Sequence, residues 1–190
     1  ANARVICDDV MRTNLSALVA EVFGADCSSL RVAANLPYYI TTDVLTKLMR
    51  ELPQAKSIAV MIQKEVGDKL LSGPGDDGYG PLAVMCQYRY HVMRALDVPA
   101  ACFNPPPKVK SAVIRLRRNG VVRLACDERL FVRVVKASFG QRRKMLRNSL
   151  RAAFGDFGGA EHPFFSQRAE QLSVADFVAL TQWVEQRIGG

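Results

Sequence analysis

At 190 residues, with 49% of them hydrophobic and 23% charged, the chain can bury the core of one domain or one and a half, and its composition excludes a disordered chain. Lys and Arg number 26 against 18 Asp and Glu, a net charge of +8 that favours a polyanionic partner. The opening residues lack the basic-then-apolar layout of a secretory signal and no apolar run is long enough to span a membrane, so a soluble, cytoplasmic protein is expected.

In chain order, residues 4–7 (RVIC) make a short apolar strand candidate ending at Asp8 and Asp9, and residues 30–34 (LRVAA) a second ending at Asn35. Between them Leu15, Leu18, Val19, Val22 and Phe23 recur at helical spacing, which predicts a strand, helix, strand unit. Residues 42–52 predict a helix with Thr41 or Thr42 as cap. The continuous apolar run 57–62 (SIAVMI) suits a central strand buried on both faces, and residues 65–71 a short helix.

Residues 82–93 and 112–116 predict extended segments separated by a proline-rich turn. This alternation argues for an α/β, doubly wound sheet with an antiparallel edge. Asn119-Gly120 is a turn signal, and beyond it three amphipathic stripes follow: Leu130, Val134, Val135 and Phe139; Met145, Leu146, Leu150 and Phe154; Phe177, Leu180, Val184 and Ile188. The expected organisation is therefore a sheet domain over residues 1–120 and a small all-α domain over 121–190, divided near 119–126.

Cys7, Cys27, Cys86, Cys102 and Cys126 are odd in number and never in a Cys-x-x-Cys pair, and His91 and His162 stand apart. Buried free thiols in a reducing compartment are expected, with neither a disulfide framework nor a metal site. The segment 73–78 (GPGDDG) satisfies Gly-x-Gly-x-x-Gly in letters, but it follows a helix and its Asp76 and Asp77 would repel phosphate; it is expected to be a mobile loop.

The sharpest chemical signal is Asn35-Leu36-Pro37-Tyr38 directly after a strand, since ligand sites of open α/β sheets lie at the carboxyl ends of strands. Such a group suits an exocyclic adenine amine, a poor nucleophile whose lone pair is delocalised into the ring. The Asn35 side-chain oxygen and the carbonyl of Leu36, turned by the following proline, can accept the amine's hydrogens and favour a pyramidal nitrogen. Tyr38 can stack on the extruded base, with Phe103, ahead of Pro105-Pro106-Pro107 and Lys108, as the opposite wall. An ordinary strand-to-helix turn with a packed tyrosine is the competing reading. Asp9 suits a cofactor's adenine amino group or, equally, a helix cap. The cationic run 142–151 (RRKMLRNSLR) is either an RNA contact or a solvated helix face.

Taken together, residues 35–42 (NLPYYITT), 61–71 (MIQKEVGDKLL), 79–87 (YGPLAVMCQ), 103–116 (FNPPPKVKSAVIRL) and 138–150 (SFGQRRKMLRNSL) resemble the ribosomal RNA adenine N6,N6-dimethyltransferases of the KsgA/RsmA type, class I S-adenosylmethionine methyltransferases. The resemblance implies a Rossmann-like class I sheet followed by a helical domain that helps dock the pre-ribosomal particle. It implies that Asn35 positions the target amine, Tyr38 stacks the base and Asp9 contacts the cofactor adenine. With the readings of the residues themselves, the expected catalytic set is Asn35, Leu36, Pro37 and Tyr38, the cofactor set Asp9, Val10 and Asn35, and the substrate set Tyr38, Phe103, Arg142, Arg143, Lys144 and Arg147. The implied cofactor is S-adenosyl-L-methionine, with no metal, and the implied substrate is a pair of adjacent adenosines near the 3′ end of small-subunit (16S) rRNA in the pre-30S particle. A monomer is expected.

Family members carry a glycine-rich cofactor loop and an acidic ribose-binding residue ahead of the position matching Asp9. The chain is therefore expected to be an amino-terminally incomplete piece, inactive alone. Two rival readings are a large-subunit rRNA methyltransferase of the antibiotic-resistance type and a non-catalytic RNA- or assembly-binding fragment.

Overall fold

The computed structural model describes residues 3–24, 27, 29–121, 125–141 and 143–188. The chain divides into two compact units, one from Ala1–Gly67 with Met93–Arg118, the other from Asp68–Val92 with Asn119–Gly190. A single division near 119–126 matches only the last junction; residues 68–92 group with the helical segment because their apolar side chains enter its core.

In the first unit, α1 (Leu15–Phe23) starts at Asn14, whose side chain accepts from the Ala17 amide. It is followed by β1 (Arg31–Asn35), α2 (Thr41–Glu51) and β2 (Ser57–Gln63). With β3 (Tyr90–Val98) and β4 (Ser111–Arg118) they form a sheet of order β1-β2-β4-β3. β1 runs parallel to β2 in the register Asn35↔Met61. β4 runs antiparallel to β2, from Ser57↔Arg117 to Gln63↔Ser111. That pairing puts Ile58, Val60 and Ile62 of β2 in the core together with Ala112, Ile114 and Leu116 of β4, all fully buried.

A slip of one residue would turn both sets outward, at roughly 1.5–3 kcal/mol per large side chain exposed, so the register is firmly specified. The fully buried set lies on one face of β2, with Ala59 and Met61 half-buried on the other, where burial on both was expected. Antiparallel pairing also reaches the middle of the sheet, at β2 and β4, where only an antiparallel edge was expected. Gly67 packs closely on β4: a Cβ there would sit 2.9 Å from Cδ1 of the buried Ile114, which would have to shift.

Other expectations change locally. Residues 4–7 form no strand; Val5 is 95% exposed, and an isolated apolar tetrapeptide has no ladder to satisfy its backbone. Helix α1 forms where expected, yet only Val19 of its apolar face is buried. α2 starts without a side-chain cap, its N-cap being Ile40, while Thr41 directs its hydroxyl backward to the Pro37 carbonyl.

In the second unit, α4 (Pro81–Arg89) occupies most of the segment expected to be extended. Its proline lies in the first turn, where no amide hydrogen is needed, and Ala83, Val84 and Cys86 are buried. α3 (Lys64–Leu71) and β3 run across the unit boundaries. The three stripes form α5 (Glu128–Gly140), α6 (Leu146–Phe154) and α7 (Val174–Ile188), whose core includes Phe131, Val134, Val135, Leu146, Leu150, Phe177, Leu180 and Val184. Met145 lies outside α6 and is exposed, as is Ile188. Asp127 caps α5 by accepting the Leu130 amide at 2.6 Å. Gly155, at φ 86°, ends α6 in a conformation that disfavours a side chain, and its amide bonds the Arg151 carbonyl.

The loop 73–78 is tied down where mobility was expected: the Gly73 amide donates to Asp76 Oδ2 at 2.8 Å and the Gly75 amide to the Glu170 carbonyl at 2.8 Å. Of the free thiols only Cys86 is buried; Cys7 and Cys102 are exposed and Cys27 and Cys126 half-buried, so the expectation of uniformly buried cysteines is corrected. Among the described residues no group of three or more metal-binding side chains occurs, and no helix is long and apolar enough to cross a membrane.

Candidate functional site at the strand tips

The registers bring three chain segments to one edge of the sheet. β1 ends there at Asn35, β2 at Gln63, and β4 begins there at Ser111, opposite Gln63. The turn after β1 and the proline loop before β4 therefore share the edge at which open α/β sheets hold ligands.

The turn is held at several points. The Leu36 amide donates to the Met61 carbonyl at 3.1 Å, extending the β1–β2 pairing by one residue. Pro37 has φ −57° and ψ 134°, and a short 3-10 turn, Tyr38–Ile40, leads into α2. Thr41 Oγ1 donates to the Pro37 carbonyl at 3.2 Å and approaches that of Tyr38 at 3.4 Å. The Tyr38 hydroxyl and Ser111 Oγ are 2.6 Å apart. These bonds engage the Leu36 amide, the Pro37 and Tyr38 carbonyls and the Tyr38 hydroxyl; the two oxygens suited to an amine, on the Asn35 side chain and the Leu36 backbone, are not among them.

Asn35 is exposed, Leu36 is buried and Tyr38 is half-buried. Tyr38 is thus neither a free surface residue nor fully absorbed into the core: its hydroxyl is tethered and the residue as a whole keeps part of its surface. Tyr39 beside it is 86% exposed. Phe103 is half-buried, with its amide bonded to the Ala100 carbonyl at 3.1 Å, and a cis Asn104–Pro105 peptide follows it. The Lys110 carbonyl accepts from the Lys64 amide at 2.8 Å and pins the end of this loop beside β2.

Asp9 lies in a turn, not at the end of a strand. Its Oδ1 accepts the Met11 amide at 2.9 Å and its carbonyl the Thr13 amide at 3.0 Å, so it acts as a local cap. Its other oxygen is 3.9 Å from Arg12 Nε, too long for a hydrogen bond, and is available to a further donor. Val10 is half-buried beside it. These groups suit an adenine ring: an apolar side chain with an adjacent acceptor for an amino group.

The cationic run is divided. Residues 141 and 143–145 connect α5 to α6 outside either helix, with Arg143 and Lys144 exposed; Arg142 lies outside the described residues. Arg147, on α6, is ion-paired with Glu161, and its guanidinium lies 5.8 Å from the centre of the Phe165 ring. Its charge is thus partly spent within the unit, and a single basic helix face is not what forms. Neither Thr41 in its role behind the turn nor Ser111 is marked in the sequence; the only hint of Ser111 is a small polar residue opening an otherwise apolar strand after the proline loop.

The sequence profile of the ribosomal RNA adenine dimethylase family matches residues 1–186. The chain belongs to that family. It is 42% identical over 185 residues to ribosomal RNA small subunit methyltransferase A of Bacteroides thetaiotaomicron, a match covering 97% of this chain and 67% of that protein. It is 41% identical over 174 residues to the protein of the same name from Thiobacillus denitrificans, covering 87% and 66%. The chain thus spans about two thirds of the length of these relatives.

Two solved structures share the fold. A dimethyladenosine transferase from Plasmodium falciparum superposes with a TM-score of 0.72 at 21% identity, covering 83% of this chain and 67% of the other. The 23S rRNA methyltransferase ErmE gives a TM-score of 0.61 at 19% identity, covering 94% and 70%. The chain thus has an α/β, Rossmann-like class I fold with helical content, shared with these two structures.

Proposed function

We propose that this member of the ribosomal RNA adenine dimethylase family dimethylates N6 of two adjacent adenosines near the 3′ end of 16S rRNA, in the cytoplasm, as a monomer acting on the pre-30S particle. The observation that carries this reading is the Asn35–Tyr38 turn at the strand tips, which leaves two oxygen acceptors beside a tethered aromatic ring.

In this reading S-adenosyl-L-methionine supplies the methyl group. Asp9 and Val10 would hold its adenine end, and Asn35 would border the cofactor on the side where the target amine sits. Tyr38 stacks on the flipped adenine and Phe103 closes the other side, each stack contributing roughly 1–3 kcal/mol. The Asn35 side-chain oxygen and the Leu36 carbonyl each accept one hydrogen of the amine. They thereby draw the nitrogen out of conjugation with the ring and orient its lone pair. No strongly basic side chain is needed, because the amine proton becomes acidic only as the new carbon–nitrogen bond forms. Pro37 stiffens the turn so that both oxygens are placed before substrate arrives.

Residues 1–120 are assigned to catalysis and 121–190 to docking on RNA, with Arg142, Arg143, Lys144 and Arg147 as candidate phosphate contacts. The exposure of Arg143 and Lys144 supports this, while the ion pair of Arg147 weakens its share. The deciding experiment supplies the protein at its full natural length with methyl-labelled S-adenosylmethionine and undermethylated small subunits, then maps the label. Dimethylated adjacent adenines near the 3′ end are expected. Label on large-subunit RNA, or binding without transfer, overturns the assignment.

A further inference from the structure

The turn that carries Tyr38 is held by two buried hydroxyls from different parts of the chain. Thr41, 2% exposed, fixes its backbone through the Pro37 and Tyr38 carbonyls. Ser111, 1% exposed, meets the ring's far end at 2.6 Å across 73 residues of sequence. We propose that Ser111 is a positioning residue for base capture: by holding the Tyr38 hydroxyl, it fixes the plane of the ring on which the target adenine stacks. The inference rests on the assignment of Tyr38 as that platform.

With the backbone pinned by Thr41, the remaining freedom of the tyrosine is the swing of its ring, and one hydrogen bond at the hydroxyl removes most of it. The anchor itself is rigid, because Ser111 opens β4 in register with Gln63 of the central strand. The bond lies within the normal range for two hydroxyls, and a buried serine oxygen deprived of it would be left unsatisfied, so each group enforces the position of the other. Burial alone would be served as well by phenylalanine; what the hydroxyl adds is direction. Stacking depends on the angle and offset of the two planes, so a ring free to swing spends part of its time unable to receive the base.

The test uses the protein at its full natural length, undermethylated small subunits and labelled S-adenosylmethionine. Ser111→Ala and Tyr38→Phe are each expected to lower kcat/KM for the subunit by about tenfold, with KM for S-adenosylmethionine unchanged. The double variant should be no worse than either single one, because both remove the same bond, and Ser111→Thr should restore activity. A role confined to folding would instead appear as a lowered Tm with kinetics intact.

Wild-type kinetics in Ser111→Ala and Tyr38→Phe, or losses that multiply in the double variant, overturn the inference. If Ser111→Ala does not fold, Tyr38→Phe alone decides, since it keeps the ring and its volume. Tyr38→Ala separates the two levels. Full activity in that variant refutes the stacking role itself, whereas its inactivity beside wild-type Ser111→Ala and Tyr38→Phe refutes the tether alone.

Discussion

Lys47 and Glu51, one turn apart on α2, form a 2.7 Å ion pair whose side chains are only 7% and 17% exposed. Glu51 also accepts from Arg50 at 2.9 Å and from the Leu15 amide at 3.0 Å, so this carboxylate joins the start of α1 to the end of α2. Its Lys47 and Arg50 partners, with the Leu15 amide, hold the carboxyl down to about 2 from the ordinary 4.5, against the opposing effect of burial. A depressed carboxylate stabilises the fold above the unfolded value and loses that contribution as pH falls through the folded one. Thermal melting should therefore show a Glu51-dependent loss of stability between about pH 4.5 and pH 2, with the gap between wild type and Glu51→Gln closing across that window. At neutral pH, Glu51→Ala should cost about 2–3 kcal/mol in denaturant unfolding, because Lys47 is left buried without its counter-ion.

His162 titrates in a different range. Its Nδ1 accepts the Phe164 amide at 3.2 Å, and its ring lies among Phe164, Phe165 and Trp183. Burial, with the nearby Arg187 charge, pushes the imidazole below its ordinary 6.5. The fold favours the neutral imidazole, so stability is greatest above pH 6.5 and declines as pH drops below that value. Replacement of His162 by Gln should flatten the melting profile over this interval; an unchanged profile would show that another group governs it.

Thiol reactivity should sort the cysteines by burial. Cys86 is fully buried and its thiol is pushed up to about 12, whereas Cys7 and Cys102 are exposed. Alkylation of native protein followed by mass mapping should label Cys7 and Cys102 within minutes and Cys86 only after unfolding.

If Asn35 accepts from the target amine as proposed, Asn35→Ala should reduce methyl transfer by about a hundredfold or more while leaving RNA affinity near wild type, since the acceptor lost would serve the pyramidal amine and not the bound RNA backbone. Single-turnover rates and filter binding separate the two effects. Equal losses in both would assign Asn35 to binding.

Neutralising Arg143 and Lys144 should weaken binding to small subunits and lower the slope of log K against log salt by about one for each phosphate that is no longer neutralised. Arg147→Gln should change that slope less and lower Tm more, because Arg147 already faces Glu161 and Phe165. A larger slope change at Arg147 than at Arg143 would show that the ion pair opens on RNA.

Much of the architecture was legible in local pattern. The apolar run 57–62 indicated the central strand, the Leu130, Val134 and Val135 spacing indicated α5, and Asn35-Leu36-Pro37-Tyr38 marked a strand tip, because helical and strand periodicities and proline geometry act within a few residues. The segment 82–93 misled because its apolar run 82–86 fits a helix and a strand equally and residues 87–93 alternate as a strand does; burial against the helical core made its first part α4, and pairing beside β4 made the rest β3. Residues 4–7 misled for the opposite reason, since their composition suits a strand but a strand exists only when a neighbour takes up its backbone hydrogen bonds.

The sequence by itself determined which segments are helical or extended wherever one periodicity dominated, and which residue types are available for purine chemistry. Tertiary structure alone decided which of those residues meet. The Tyr38–Ser111 bond, the pairing of Arg147 with Glu161 and the Glu51 link between α1 and α2 join residues distant along the chain, and their geometry comes from sheet register and helix packing, to which no short window of sequence has access.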